Sequence, residues 1–317
     1  MQQNVPGDLR DAVSDGAYGD LAGTASAPAA APAVSAPAPT DDSDAKSIYG
    51  DDNRLDYYQT SAAHQQLSRS IVSLWKKADV TVSGAVARLS VVPFGRALGL
   101  CPNEKFREQP IGAFCSGSLI KDDVIMTAGH CILDQAACDN TKFVFGFQLN
   151  RAGQYPNSVP ASDVYQCKSI IKRDLDTNQG GIWNTIVSIW NGGPGPDFAL
   201  VKLDRKVTGR APLTIASADP RNGEKLFVIG HPVGLPLKDA GDASVKDASP
   251  TYFYRANLDT FGGNSGSAVF NSQNKVAGIL VRGDTDFTVT PAGCRASVVY
   301  PQSGEGEAVT KISALLR

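Results

Sequence analysis

From about Val80 onward, the apolar residues of this chain come in short β-branched runs, and Gly, Pro, Asn and Asp interrupt the sequence between them. Many short strands with no helices between them can bury their apolar sides only against one another, in a sandwich or a barrel. Candidate strands are Ala85–Val92, Ala113–Ile120, Val124–Thr127, Phe143–Phe147, Tyr165–Lys172, Phe198–Leu203, Leu226–Gly230, Tyr252–Ala256, Ser267–Phe270 and Val276–Val281. Asn271-Ser272-Gln273-Asn274 reads as the turn of a hairpin. Two segments break the pattern. Leu67, Ile71 and Leu74 have a spacing that predicts a short helix within Ser61–Trp75, and Ala308–Leu316 is expected to end the chain as another.

The start of the chain has a different texture. Residues 22–39 are low-complexity Ala/Pro with almost no large apolar side chains, so they cannot bury enough surface to offset their ordering entropy. Residues 1–46 are therefore expected to be a disordered pro-segment or linker. They carry seven acidic and two basic groups, leaving 25 acidic against 28 basic in the remainder. The whole chain of 317 residues has a net charge of −2 and no run of Lys or Arg, which gives no electrostatic case for nucleic acid or an anionic membrane. No apolar stretch is long enough to span a bilayer. Six cysteines without a C-x-x-C pair suit disulfides in an oxidising compartment better than a metal site, and no metal or cofactor is expected. Met1-Gln2-Gln3-Asn4 lacks the features of a secretion signal, so either the protein is cytosolic or a leader was removed ahead of it, and the cysteine content favours the second.

Three segments carry chemistry. Ser265 lies in Gly262-Gly263-Asn264-Ser265-Gly266-Ser267, His130 in Thr127-Ala128-Gly129-His130-Cys131, and Asp197 opens Asp197-Phe198-Ala199-Leu200. A serine hydroxyl is a poor nucleophile near neutral pH until an imidazole takes its proton and a carboxylate fixes the imidazole. Small residues around Ser265 let backbone N–H groups converge on one point, as an oxyanion hole requires. Asp204 is the nearest rival carboxylate, but it follows its apolar run rather than preceding it. Of the other histidines, His231 reads as part of a strand-exit turn and His64 as a surface residue.

Together these motifs resemble the chymotrypsin-like (PA clan) serine peptidases, in particular their bacterial V8-like or trypsin-like branch. The similarity covers roughly residues 48–317, with Ile48-Tyr49-Gly50-Asp51-Asp52-Asn53-Arg54 similar to the start of a mature domain in that branch. It implies an all-β fold of two six-stranded antiparallel β-barrels, one in residues 47–205 with His130 and Asp197, the other in 206–317 with Ser265. It implies catalysis by His130, Asp197 and Ser265, an oxyanion hole from the N–H groups of Gly263 and Ser265, and a Cys115–Cys131 disulfide. The chain order His, Asp, Ser and the absence of Gly-x-Ser-x-Gly exclude an α/β-hydrolase.

Specificity is less constrained. The resemblance places the pocket for the P1 side chain among Asp259, Thr260, Val281, Arg282 and Gly283. Asp259 there would favour Lys or Arg, although a carboxylate at a strand end also suits local backbone N–H groups. Arg282 keeps an acidic preference open, while the lack of His in Gly278–Gly283 argues against glutamate specificity. Asn264 stands where trypsin-like relatives carry an Asp that pairs with a freed N-terminus, so activation by a cut after Lys46 cannot use that ion pair. Cys101, Cys138, Cys167 and Cys294 allow three pairings, with Cys167–Cys294 and Cys101–Cys138 mildly preferred. The expected protein is a secreted or periplasmic monomeric endopeptidase acting on proteins or peptides. A non-catalytic binding or adhesion protein on the same scaffold and an esterase are the alternatives.

Overall fold

The computed structural model describes residues 48–175, 195–283 and 285–316. The Ala/Pro-rich segment and the Lys46 site lie outside them. Twelve strands form two antiparallel barrels. In the first, β1 (Ile71–Lys76), β2 (Cys115–Lys121), β3 (Val124–Thr127), β4 (Thr141–Phe145), β5 (Val164–Leu175) and β6 (Asp197–Leu203) close in the order β4-β5-β6-β3-β2-β1. The second consists of β7 (Lys225–Gly230), β8 (Lys238–Asp247), β9 (Phe253–Ala256), β10 (Ala268–Asn271), β11 (Val276–Arg282) and β12 (Glu307–Lys311), in the order β7-β10-β11-β12-β9-β8, with β8 returning to β7.

Alternation along β1 shows how the first barrel is built. Val72 and Leu74 join the core that includes Leu119, Phe143 and Phe198, whereas Trp75 turns the other way onto Val80, Ala87 and Leu89. Those three come from an accessory sheet of Val80–Ser83, Val86–Leu89 and Ser158–Pro160, so the expected strand Ala85–Val92 lies outside the barrel. Trp75 is fully buried; its indole N–H donates to Ser73 Oγ at 2.8 Å, which satisfies its one polar atom. In the second barrel Leu226, Val245, Tyr254, Val269, Leu280 and Val309 pack together. The hairpin between β10 and β11 turns at Asn274 (φ 59°), and Asn271 Oδ1 accepts the N–H groups of Gln273 and Lys275.

Both expected helices are shorter than predicted. One, α1 (Ala62–Ser68), is capped by Ser61 Oγ accepting from the His64 N–H and ends before β1. Ile71 and Leu74 serve the barrel instead of a helix face, because the β-branched Ile71-Val72 pair enters the sheet. At the other end, Glu307–Lys311 is β12, the strand that joins β9 to β11, and only Ile312–Leu316 is helical (α2). The barrel needs that strand to close, and closure overrides the local helical pattern.

Cys115 and Cys131 are bonded, as the resemblance implied. The preferred pairing of the other four is corrected to Cys101–Cys294 and Cys138–Cys167. Cys138 sits on the short helix Gln135–Asp139, whose Gln135 side chain reaches Lys168 O beside Cys167. Cys101 N–H donates to Arg295 O, which sets its side chain beside Cys294. No helix among the described residues is long and apolar enough to cross a membrane.

The residues ahead of the first barrel lie on the second. Ile48–Tyr49 pairs in parallel with Val299–Tyr300, and Leu55–Asp56 pairs with β8. Beneath them Lys238 is buried, its Nζ 2.7 Å from Asp56 Oδ1 and donating to Gln109 Oε1 at 2.7 Å and Pro236 O at 2.8 Å. Burial lowers the Lys238 ammonium to about 8 despite the favourable Asp56 charge. Removing one partner of such a pair strands the other charge. Lys238→Met should therefore cost about 3–5 kcal/mol by urea denaturation, and adding Asp56→Leu should restore much of that loss.

Candidate active site

Asp197 is the first residue of β6 and is buried. Thr310 on β12 fixes its backbone: Asp197 N–H donates to Thr310 Oγ1 at 3.3 Å, and that hydroxyl donates to Asp197 O at 3.0 Å. The carboxylate reaches His130 twice. Oδ1 accepts the His130 backbone N–H at 3.1 Å, and Oδ2 lies 2.7 Å from Nδ1. A carboxylate only accepts, so Nδ1 carries a proton, and in the neutral ring Nε2 is the nitrogen left with its lone pair. Gly129 permits this approach, since a Cβ there would stand 2.6 Å from Asp174 O and 3.1 Å from Asp197 Oδ1. Burial pushes the Asp197 carboxyl up, but the His130 hydrogen bond and charge, with Arg282 at 3.9 Å, outweigh it and hold the carboxyl below its usual range. Asp204, the rival, accepts the Gln166 N–H and pairs with Arg205 at the other end of the strand.

Ser265 is buried, and its carbonyl accepts the Ser116 N–H at 2.8 Å. Cys131 Sγ, next in sequence to His130, is 3.7 Å from that same carbonyl. On the far side of Ser265, Gly266 has φ 87°, and a Cβ on it would overlap Ser116 O and Thr127 Oγ1. The Ser265 turn is thus pressed onto the segment leading to His130. Gly263 also has a positive φ, 81°, whereas Gly262 does not. Gly262 N–H donates to Asp286 Oδ2 at 2.8 Å, and its carbonyl accepts from the Val233 N–H. Asn264 is buried and accepts from Ser267 Oγ–H at 3.1 Å.

Ser116 gave no signal in the sequence beyond its place after Cys115. It donates through Oγ to Gly263 O at 2.9 Å and accepts the His231 N–H at 2.9 Å. His231 follows β7 and is fully buried; its Nδ1–H donates to Leu235 O at 3.0 Å. Burial pushes this imidazole down to about 3, so it is neutral near pH 7. His64 is not on the open surface: its Nδ1 lies 2.6 Å from the buried Asp239 Oδ2, and its ring stacks on Phe227.

The expected pocket residues divide. Thr260 and Val281 are buried beside the site segments, and Arg282 points its guanidinium toward Asp197. Asp259 is also buried, with both oxygens engaged: Oδ1 accepts the Tyr49 N–H at 2.8 Å and Oδ2 the Asn53 N–H at 3.1 Å. Burial pushes its carboxyl up to about 6 against the pull of those two N–H groups. The partners come from a segment more than two hundred residues earlier, which no local pattern around Asp259 could reveal.

Residues 115–279 match the family model described as a trypsin-like peptidase domain. No curated protein matches the chain. Among solved structures, the chain is similar to a Glu endopeptidase at 17% identity, over 85% of this chain and 96% of that one, with a TM-score of 0.45. It is also similar to the VesB protease of Vibrio cholerae at 17% identity, over 84% of this chain and 65% of that one, with a TM-score of 0.47.

His231 and Asp259 give opposite pH dependences. A His231 held at about 3 adds stability that is present above the ordinary imidazole value of 6.5 and is lost as pH falls toward 3. An Asp259 raised to about 6 adds stability that is present below 3.8 and is lost as pH rises through 6. Relative to the parent between pH 4 and 6, stability should tilt downward with rising pH in His231→Asn and upward in Asp259→Asn. Each change should approach about 1.4 kcal/mol per pH unit, read from urea midpoints at stepped pH.

Proposed function

The chain belongs to the trypsin-like peptidase domain family, and we propose that it is a serine endopeptidase using His130, Asp197 and Ser265. The observation that carries this reading is the pair of hydrogen bonds from His130 to Asp197, made beside the Ser265 turn. Ser265 Oγ attacks the scissile carbonyl as His130 Nε2 takes its proton, and the carbonyl π electrons move onto oxygen. The tetrahedral oxyanion is held by the N–H groups of Gly263 and Ser265. His130 then gives the proton to the leaving amine as the C–N bond breaks, leaving an acyl-enzyme. Water, deprotonated by the same imidazole, attacks the ester and releases Ser265. Asp197 keeps Nδ1 protonated throughout and stabilises the imidazolium.

A preference for Lys or Arg at P1 enters the proposal from the resemblance alone, since Asp259 already accepts the Tyr49 and Asn53 N–H groups and Asp286 the Gly262 N–H. Secretion or export to an oxidising compartment is supported by the three disulfides. Activation by a cut after Lys46 is part of the proposal, with Ser47-Ile48-Tyr49-Gly50 as the new start of the chain.

A fluorophosphonate probe should label Ser265 and nothing else, and Ser265→Ala should abolish both labelling and peptide hydrolysis. Asp197→Asn leaves the imidazole in the wrong tautomer and should lower kcat by about 10⁴-fold. Failure of the processed protein to label would favour a binding protein on this scaffold.

A further inference from the structure

Phe261-Gly262-Gly263-Asn264 is a tight turn: the Asn264 N–H donates to Phe261 O at 3.1 Å, and Gly263, at the third position, has φ 81°. That positive φ makes it a type II turn. Types I and II close with the same hydrogen bond and differ by a rotation of roughly 180° in the central peptide. Here the central peptide joins Gly262 to Gly263, and its N–H is the one proposed to hold the oxyanion. Gly262 O accepts the Val233 N–H, which sets the direction opposite to it in which the Gly263 N–H points. Two glycines at the centre of a turn leave that rotation soft. The aim of the donor therefore depends on what grips the ends of the turn.

One end is Phe261, whose buried ring lies 4.7 Å from the centre of the Phe287 ring and 3.9 Å from the guanidinium carbon of Arg54. Arg54 is buried as well. Its Nε donates to Asp52 Oδ1 at 2.9 Å and its Nη2 to Asp52 Oδ2 at 2.6 Å, whereas Nη1 is buried with no hydrogen-bond partner among the described residues. An aliphatic side chain would fill this space without stranding a donor. What a guanidinium adds is a flat cationic face for an aromatic ring, oriented by a bidentate carboxylate. The residue before it, Asn53, is tied through its N–H to Asp259, in the same segment of chain as Phe261. Arg54 is thus delivered to the ring by a backbone that is itself fixed beside the turn.

We infer that Arg54 is a positioning residue for peptide hydrolysis: stacked on Phe261, it keeps the Gly262–Gly263 peptide turned so that the Gly263 N–H faces the oxyanion. The inference rests on the serine endopeptidase reading. Arg54 touches neither the substrate nor the reacting atoms and acts only through Phe261.

The test compares the full chain with its Arg54→Met and Arg54→Lys variants. A peptide library supplies the best-cleaved sequence, and two inhibitors are made from it, ending at P1 in an aldehyde or in the matching alcohol. Ser265 Oγ adds to the aldehyde carbon, its proton passes to His130 and the carbonyl oxygen becomes an oxyanion; the alcohol binds without forming one. Arg54→Met should lower kcat about 10- to 100-fold with KM nearly unchanged. It should weaken the aldehyde by a similar factor and leave the alcohol as in the parent. Arg54→Lys keeps the charge but loses the flat fork, and should fall between the two. A folded Arg54→Met protein with parental kcat, equal weakening of aldehyde and alcohol, or a raised KM at constant kcat would each overturn the assignment. Should Arg54→Met fail to fold, Phe261→Leu removes the ring that Arg54 stacks on and should reproduce the selective loss of the aldehyde; a parental aldehyde-to-alcohol ratio there overturns the assignment. A parent that neither cleaves the library nor labels with a fluorophosphonate overturns the peptidase reading itself, and the assignment falls with it.

Discussion

Ser116 joins the two barrels through the polar atoms of its side chain and its backbone. Ser116 N–H donates to Ser265 O, its hydroxyl donates to Gly263 O and accepts the His231 N–H, and its carbonyl accepts the Thr127 hydroxyl. These contacts join β2 of the first barrel to the Ser265 turn, to His231 after β7 and to the strand that leads to His130. A buried polar group without a partner is costly, so the arrangement is close to all-or-none. If the turn shifts, several buried donors and acceptors lose partners together. The Cys115–Cys131 disulfide flanks the same place, tying the residue before Ser116 to the residue after His130. The site thus depends on a small rigid contact between layers, and not on either barrel alone.

Much of this was legible in the residue string, and the boundary of legibility has a physical origin. His130, Asp197 and Ser265 sit in short motifs in which small neighbours serve close backbone approach, and those neighbours leave a local trace. The alternating runs gave the strands for the same reason, because a half-buried strand must alternate. What was hidden is what depends on partners distant in the chain. Ser116 and Thr310 act through backbone groups of Ser265 and Asp197, and an ordinary Ser or Thr in an ordinary strand carries no mark of that use. The remaining cysteine pairs followed the packing of a five-residue helix on β5 and of the Leu100 region beside Arg295. Ala308–Lys311 reads as the start of the last helix because a local pattern ignores the barrel's need for a sixth strand.

The buried charges are managed in distinct ways. Asp197 is ionised because a histidine and, farther off, an arginine face it. Lys238 meets a carboxylate and an amide in a sealed pocket, and the guanidinium of Arg54 lies 3.9 Å from the centre of the Phe261 ring while pairing with Asp52. Asp259 relies on backbone N–H groups alone, and burial wins to the extent that its proton is held more tightly than in water. Only the first of these is geometrically suited to proton traffic. The others join segments that are remote in sequence, which matches the placement of Asp259 against Tyr49 and Asn53.

That placement bears on how the molecule is born. Ile48 and Tyr49 emerge early from the ribosome, yet their strand partners, Val299 and Tyr300, are made almost last. Until then the two residues lack their strand partners, although Phe94 and Leu100, which share a buried core with Ile48, are made much earlier. The first barrel can close as soon as Leu203 has been made, but the second cannot be finished until Lys311 arrives and the waiting segment folds back across it. Nascent chains shorter than 300 residues therefore lack the strand that Ile48–Tyr49 joins, so this seam is made only when synthesis is nearly complete.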